Sequence, residues 1–167
     1  MTSHNIIVSE AQLNSRVREL GEQITQDYGS RHLEVVCLIN GGSVFCADLV
    51  RHIQVPITQH YLGFSSYSEG NSSGEVRITL DVAEPLQGRH LLLVEGIVVS
   101  GRTPAYLVEL LKLRRPASVA LCALGVKQNL AVDLSIEYVA FKLGKEIAMG
   151  YGIGNGLERA LPYLVEV

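Results

Sequence analysis

Hydrophobic positions along the chain follow two periods in turn. Leu13, Val17, Leu20 and Ile24 recur at helical spacing, with Arg16, Arg18 and Glu22 off that stripe. Ser9 stands where an N-cap belongs and Gly29 where a helix stops, so a helix is predicted from Ser9 to about Tyr28. Leu33–Ile39 is an unbroken apolar run and reads as a buried strand. Asn40-Gly41-Gly42-Ser43 is a turn, and Val44, Ala47, Leu49, Val50 and Ile53 mark a second helix. Pro56–Leu62 is a further strand. Gly63–Gly74, rich in Gly, Ser and Asn, reads as a mobile surface loop or a lid, and Glu75–Leu80 alternates like an edge or hairpin strand. Leu91–Val94 is a strand running into a turn at Glu95–Gly96, and a short apolar run, Ile97–Val99, leads into Ser100-Gly101-Arg102-Thr103. A third helix begins there, with Thr103 at the cap position and Pro104 just inside, and ends near Arg114-Arg115. Pro116–Leu124, Tyr138–Leu143 and Ile147–Gly152 complete the predicted strands.

Strands alternating with helices predict an α/β fold with a mostly parallel sheet covered on both faces. Ligands in such folds sit beyond the carboxyl ends of the strands. Three turns fall there: Asn40–Ser43, Glu95–Thr103 and Gly125–Asn129. The 167 residues suit one domain, and a hydrophobic content of 47% fits strands buried on both sides. A net charge of -3 marks no general nucleic-acid binder. No apolar run is long and uncharged enough to span a bilayer, and the start lacks the pattern of a signal peptide. The 3 cysteines, Cys37, Cys46 and Cys122, lie in apolar segments and read as reduced core residues of a cytoplasmic protein.

The stretch with the most chemistry is Leu91–Thr103. A glycine turn at a helix start leaves backbone N–H groups unpaired, and the helix dipole adds positive charge there. Gly101 leaves room for a ligand, and Ser100 and Thr103 carry hydroxyls. This is either a phosphate-sized anion site or an ordinary strand–loop–helix connection. A Walker A loop is excluded by spacing, and no G-x-G-x-x-G follows the first strand.

The run Val94-Glu95-Gly96-Ile97-Val98-Val99-Ser100-Gly101-Arg102-Thr103 resembles the V-E-D-I-I-D-T-G-x-T loop of the type I phosphoribosyltransferases, in the hypoxanthine-guanine branch. The frame, the first acid, the Gly and the final Thr match; Gly96 and Val99 replace the two aspartates. Ile147-Ala148-Met149-Gly150-Tyr151-Gly152 is similar to the family's F-V-V-G-Y-G-L-D, with Gly154 at the place of its Asp. Arg159-Ala160-Leu161-Pro162 is similar to R-N-L-P. The likeness runs from about Leu33 to Leu164. It implies the family's fold as one domain over residues 1–167, with a small hood from the N- and C-terminal segments.

The resemblance also implies roles. The phosphate loop is Val99, Ser100, Gly101, Arg102 and Thr103. Asn40, Gly41 and Gly42, with a non-proline cis peptide before the glycines, receive pyrophosphate together with Arg159. Ser66 and Tyr67 belong to a lid. Glu95 faces ribose hydroxyls; its bare alternative is a solvated turn residue. Val99 stands where the family's Asp handles a proton of the base, which a valine cannot do. Lys127 donates to the oxygen at position 6 of a purine, or is a surface lysine. Ile147 and Ala148 lie against the base. The implied cofactor is magnesium, weakened by Gly154. The implied partners are a purine base or nucleotide and phosphoribosyl diphosphate, in a homo-oligomer. The implied activity is transfer of phosphoribosyl to a 6-oxopurine in purine salvage; the alternative is a nucleotide-binding homologue without turnover.

Overall fold

The computed structural model describes residues 5–66 and 76–167. The chain forms strands β1 (Asn5–Val8), β2 (Leu33–Ile39), β3 (Ile57–Ser66), β4 (Val76–Leu80), β5 (His90–Val98), β6 (Ser118–Lys127), β7 (Tyr138–Leu143), β8 (Ala148–Met149) and β9 (Leu164–Glu166). Helices α1 (Glu10–Tyr28), α2 (Ser43–Val50) and α3 (Arg102–Lys112) stand between them, and a single 3₁₀ turn covers Glu158–Ala160. A six-stranded sheet has the order β4-β3-β2-β5-β6-β7. Its neighbours are parallel except β4, which runs antiparallel to β3. A second, antiparallel sheet, β1-β9-β8, is built from the two ends of the chain.

Alternation along the central strands supplies two cores. On one face Val35, Cys37, Leu92, Val94, Cys122 and Leu124 meet Leu13, Val17, Leu20 and Ile24 of α1 and Phe45 and Leu49 of α2. On the other, Val36, Leu38, Leu91, Leu93 and Leu121 meet Leu107 and Leu111 of α3. Helices therefore cover both faces, and the central strands β2, β5 and β6 are apolar on both sides, as their sequences require. The capping box at α1 is formed: the Ser9 N–H donates to Gln12 Oε1 at 2.8 Å, and the Gln12 N–H donates to Ser9 Oγ at 3.3 Å. Cys37, Cys46 and Cys122 are buried free thiols.

Several sequence expectations give way to pairing. Gly63–Ser66 are the end of β3 and not a loop, because β4 supplies partners as far as Ser66↔Val76. Glu95 and Gly96 are not a turn; β5 runs through them, held on β6 by Glu95↔Ala123 and Ile97↔Gly125. β6 likewise continues to Lys127, paired with Leu143. Of the expected Ile147–Gly152 strand, Ala148 and Met149 pair with β9 and Gly150 makes only an isolated bridge to Ile153, since Gly150 (φ 108°) and Tyr151 (φ 51°) turn the chain. Among the described residues, no helix is long and apolar enough to cross a membrane.

Candidate functional site

The carboxyl ends of β2, β5 and β6 open into a cleft of about 840 Å³. Asn40 and Gly41 line it after β2, Glu95 and Ile97 at the end of β5, and Val99, Ser100, Gly101 and Thr103 at the start of α3. Lys127 enters from β6, and Gly144–Ala148 with Ile153 and Gly154 close the far side. The three turns expected to converge thus share one space.

α3 begins at Gly101, not at Thr103. Gly101 is the N-cap at φ 80°, and no side chain caps the helix. A positive φ suits glycine here, while Thr103 and Pro104 become the second and third helical residues. Ser100 Oγ approaches the Arg102 N–H at 3.4 Å, a long contact. The helix start consequently faces the cleft with backbone amides and its positive dipole end, the requirements of an anion cradle.

Glu95 is half-buried at the cleft floor, and its Oε1 accepts the Gly96 N–H at 2.7 Å. Burial pushes its carboxyl up to about 7, against the pull of that amide. Beneath it the Ile39–Asn40 peptide is cis. The turn that follows presses on β5: a Cβ added to Gly96 would lie 2.7 Å from the Gly41 carbonyl oxygen and 2.7 Å from Ile153 Cδ1. A side chain at position 96 has no room.

Across the cleft the Lys127 ammonium donates to the main-chain carbonyl of Glu146. Glu146 Oε1 accepts the Gly144 N–H at 2.9 Å. Its own amide first, then that of Gly144 and the charge of Lys127, hold the Glu146 carboxyl below the usual carboxylate range, against the effect of burial. These bonds fix the Gly144–Ala148 segment. Ile147 and Val99 each leave about two-thirds of their surface free, at 64% and 63%, and both line the cleft, so its walls are apolar where its rim is charged.

The remaining candidate residues lie apart. Gly42 sits under the turn, its N–H donating to the Leu38 carbonyl at 3.0 Å. Arg102 is exposed on α3 and does not line the cleft. Arg159 stands behind the turn, donating to the carbonyls of Gly154 at 3.2 Å and Asn40 at 3.4 Å. Ser66 ends β3, and Tyr67 lies outside the described residues. Residues that sequence reasoning passed over are Phe64, Gln128, Asn129, Lys145, Glu146 and Ile153, all on the cleft wall. Glu146 and Lys145 adjoin Ile147 in sequence and could have been reached from it. Nothing local signals Ile153, which arrives from the chain beyond Gly150.

Sheet order, helix placement and a cleft at the strand ends are those of a phosphoribosyltransferase domain. The family model for the phosphoribosyl transferase domain matches residues 6–149, and the chain belongs to that family. A hypoxanthine-guanine phosphoribosyltransferase of Dictyostelium discoideum is 39% identical over 172 residues, spanning 99% of this chain and 96% of the relative. A hypoxanthine phosphoribosyltransferase of Salmonella typhimurium is 38% identical over 167 residues, spanning 97% of this chain and 94% of the relative. The solved structure of a hypoxanthine-guanine phosphoribosyltransferase from Bacillus anthracis matches with a TM-score of 0.89 at 32% identity, over 97% of this chain and 96% of that one. The fold is therefore the type I phosphoribosyltransferase fold.

The family resemblance implies magnesium, and the residues present do not fit it as a protein-held ion. Magnesium takes oxygen ligands in strict octahedral geometry, through one or two carboxylates. Among the described residues, no cluster of three His, Cys, Asp or Glu is placed to hold a metal. The acids on the cleft wall are Glu95 and Glu146, and each carboxylate already accepts a backbone amide.

Proposed function

We propose that this chain binds a 6-oxopurine nucleotide in the cleft and acts as a hypoxanthine/guanine phosphoribosyltransferase of purine salvage with slow turnover. The observation that carries the reading is that one cleft gathers the uncapped α3 start, Glu95 and Lys127. The amides of Gly101 to Thr103, with the Ser100 and Thr103 hydroxyls, take the 5′-phosphate. Glu95 accepts ribose hydroxyls. Lys127 donates to the 6-oxygen; an ammonium cannot accept, so a 6-amino base is disfavoured. Ile147 and Ala148 cover the base, and the Asn40–Gly42 turn with Arg159 behind it receives the pyrophosphate. The protein works as a homo-oligomer in the cytoplasm.

In the reaction the bond from ribose C1 to the diphosphate oxygen breaks, the bond from C1 to the base nitrogen forms, and pyrophosphate leaves. The base releases its proton to solvent, since Val99 offers no acceptor. Orientation and charge stabilisation remain available to the protein. The absent acid/base group slows turnover by about 10²–10⁴.

Val99 and the closed space at Gly96 also favour a second reading, a nucleotide-binding protein that does not turn over. Pyrophosphate release from phosphoribosyl diphosphate with hypoxanthine or guanine tests the first reading. Tight binding of guanosine monophosphate with no release of pyrophosphate would establish the second.

A further inference from the structure

β7 ends at Leu143 and β8 begins at Ala148, so residues 144–147 carry the chain from the large sheet to the small one. Bonds hold this crossing along its length. The Val167 N–H donates to the Ile147 carbonyl at 3.0 Å. Lys127, paired with Leu143 at the end of β6, donates its ammonium to the Glu146 carbonyl. The Glu146 side chain folds back over the same stretch, and its Oε1 accepts the Gly144 N–H at 2.9 Å. Gly144 makes the space for it. A Cβ there would collide with Glu146 Oε2, and the next atoms it would meet, at 3.1 and 3.2 Å, are Cδ and Oε1 of the same side chain.

A lysine ammonium has three donors on a flexible four-carbon stem. That of Lys127 uses one donor on the Glu146 carbonyl, which sets its position, and keeps the others for a ligand in the cleft it lines. Where that carbonyl stands depends on the crossing, and the crossing is closed by the bond between Glu146 and Gly144. The Glu146 carboxyl is charged at neutral pH: its own amide first, then that of Gly144 and the charge of Lys127, hold it below the usual carboxylate range against the effect of burial. Released from Gly144, it becomes a free anion beside Lys127. A direct ion pair would then draw the ammonium off the carbonyl and away from the base.

We propose that Glu146 is the positioning residue for Lys127: its carboxylate, hooked on the Gly144 N–H, fixes the carbonyl that aims the ammonium at position 6 of the base, and so sets the preference for a 6-oxo over a 6-amino purine. The inference rests on the nucleotide-binding reading and adds a residue to its specificity.

The test is calorimetric titration of the whole protein with inosine monophosphate, with adenosine monophosphate, which carries an amine at position 6, and with ribose 5-phosphate, which lacks the base. The parent is expected to prefer inosine monophosphate. Glu146→Ala should narrow that preference by about tenfold, the weight of one hydrogen bond. Gly144→Ala, which displaces the carboxylate and leaves Glu146 in the chain, should narrow it at least as much. Glu146→Gln still offers an oxygen to the Gly144 N–H and should keep the preference within about threefold of the parent. Affinity for ribose 5-phosphate should stay at the parent's value throughout. An unchanged preference in either alanine variant overturns the inference and leaves the nucleotide reading standing. A glutamine variant as impaired as Glu146→Ala does the same, as does an equal loss for all three ligands, which marks a structural brace only. Gly144→Ala and Glu146→Gln decide the matter if Glu146→Ala does not fold. Equal affinity of the parent for the two nucleotides overturns the inference; absence of inosine monophosphate binding overturns the nucleotide reading and the inference with it.

Discussion

The carbonyl oxygen of Gly41 stands over the α-carbon of Gly96 so closely that a Cβ on Gly96 would lie 2.7 Å from it. A glycine at position 96 is thus a packing requirement of this chain as well as a missing acid. Replacing it means moving the Asn40–Gly42 turn, whose Asn40 carbonyl Arg159 also contacts. Gly96→Ala and Gly96→Asp are expected to destabilise the fold by about 1–3 kcal/mol, the range for overpacking. Thermal melting should register this as a fall of several degrees. An unchanged Tm in both variants would show that the turn yields freely.

Val99 behaves oppositely. It is 63% exposed and faces the cleft, so a carboxylate there meets open space. Val99→Asp is expected to leave Tm nearly unchanged and to raise pyrophosphate release by about tenfold or more, part of the range for a placed acid/base group. If the variant stays as slow as its parent, the absence of an acid at this position does not explain the rate.

Glu95 links the site to stability. Its carboxyl is raised from 4.5 to about 7 by burial, so between those values the folded chain holds a proton that the unfolded chain has released. This contribution to stability is fully present below about 4.5, declines as pH rises towards 7, and is lost above it. Its full size is about 3 kcal/mol at most. Glu95→Gln keeps an acceptor for the Gly96 N–H and removes the titration. The variant should therefore melt higher than the parent in mildly alkaline buffer and match it in acid, near the ordinary carboxylate pKa. Parallel melting curves across the whole range would contradict the burial of that charge.

Lys127 carries the predicted discrimination between bases. Lys127→Met removes both the base contact and the bond to the Glu146 carbonyl. Affinity for guanosine monophosphate should fall by roughly 10–100-fold, as for a charged hydrogen bond. Affinity for adenosine monophosphate should change far less, narrowing the gap between the two. Equal losses for both nucleotides would reduce Lys127 to a strap on the Gly144–Ala148 segment.

Much of this was legible from residues alone, and the exceptions share a cause. The α1 stripe and the Ser9 cap were readable because helical period and capping are local. The family frame around Glu95–Thr103 was readable because its spacing is contiguous. Glu95–Gly96 looked like a turn, yet pairing with β6 carries the strand through it. Gly63–Ser66 looked like a loop because polar composition hides the partner that β4 provides. Thr103 looked like a cap because its hydroxyl suits that place, while the backbone at Gly101 decides where α3 starts. Ile153 was invisible, since its meeting with Gly96 depends on the turn at Gly150–Tyr151 and on no local pattern.

A crystal of the protein soaked with guanosine monophosphate bears most directly on the central claim. The phosphate is expected at the start of α3, within hydrogen-bond reach of the amides from Gly101 to Thr103, with the base towards Lys127 and Ile147. Nucleotide bound elsewhere on the surface, or a cleft left vacant at saturating ligand, would contradict the account.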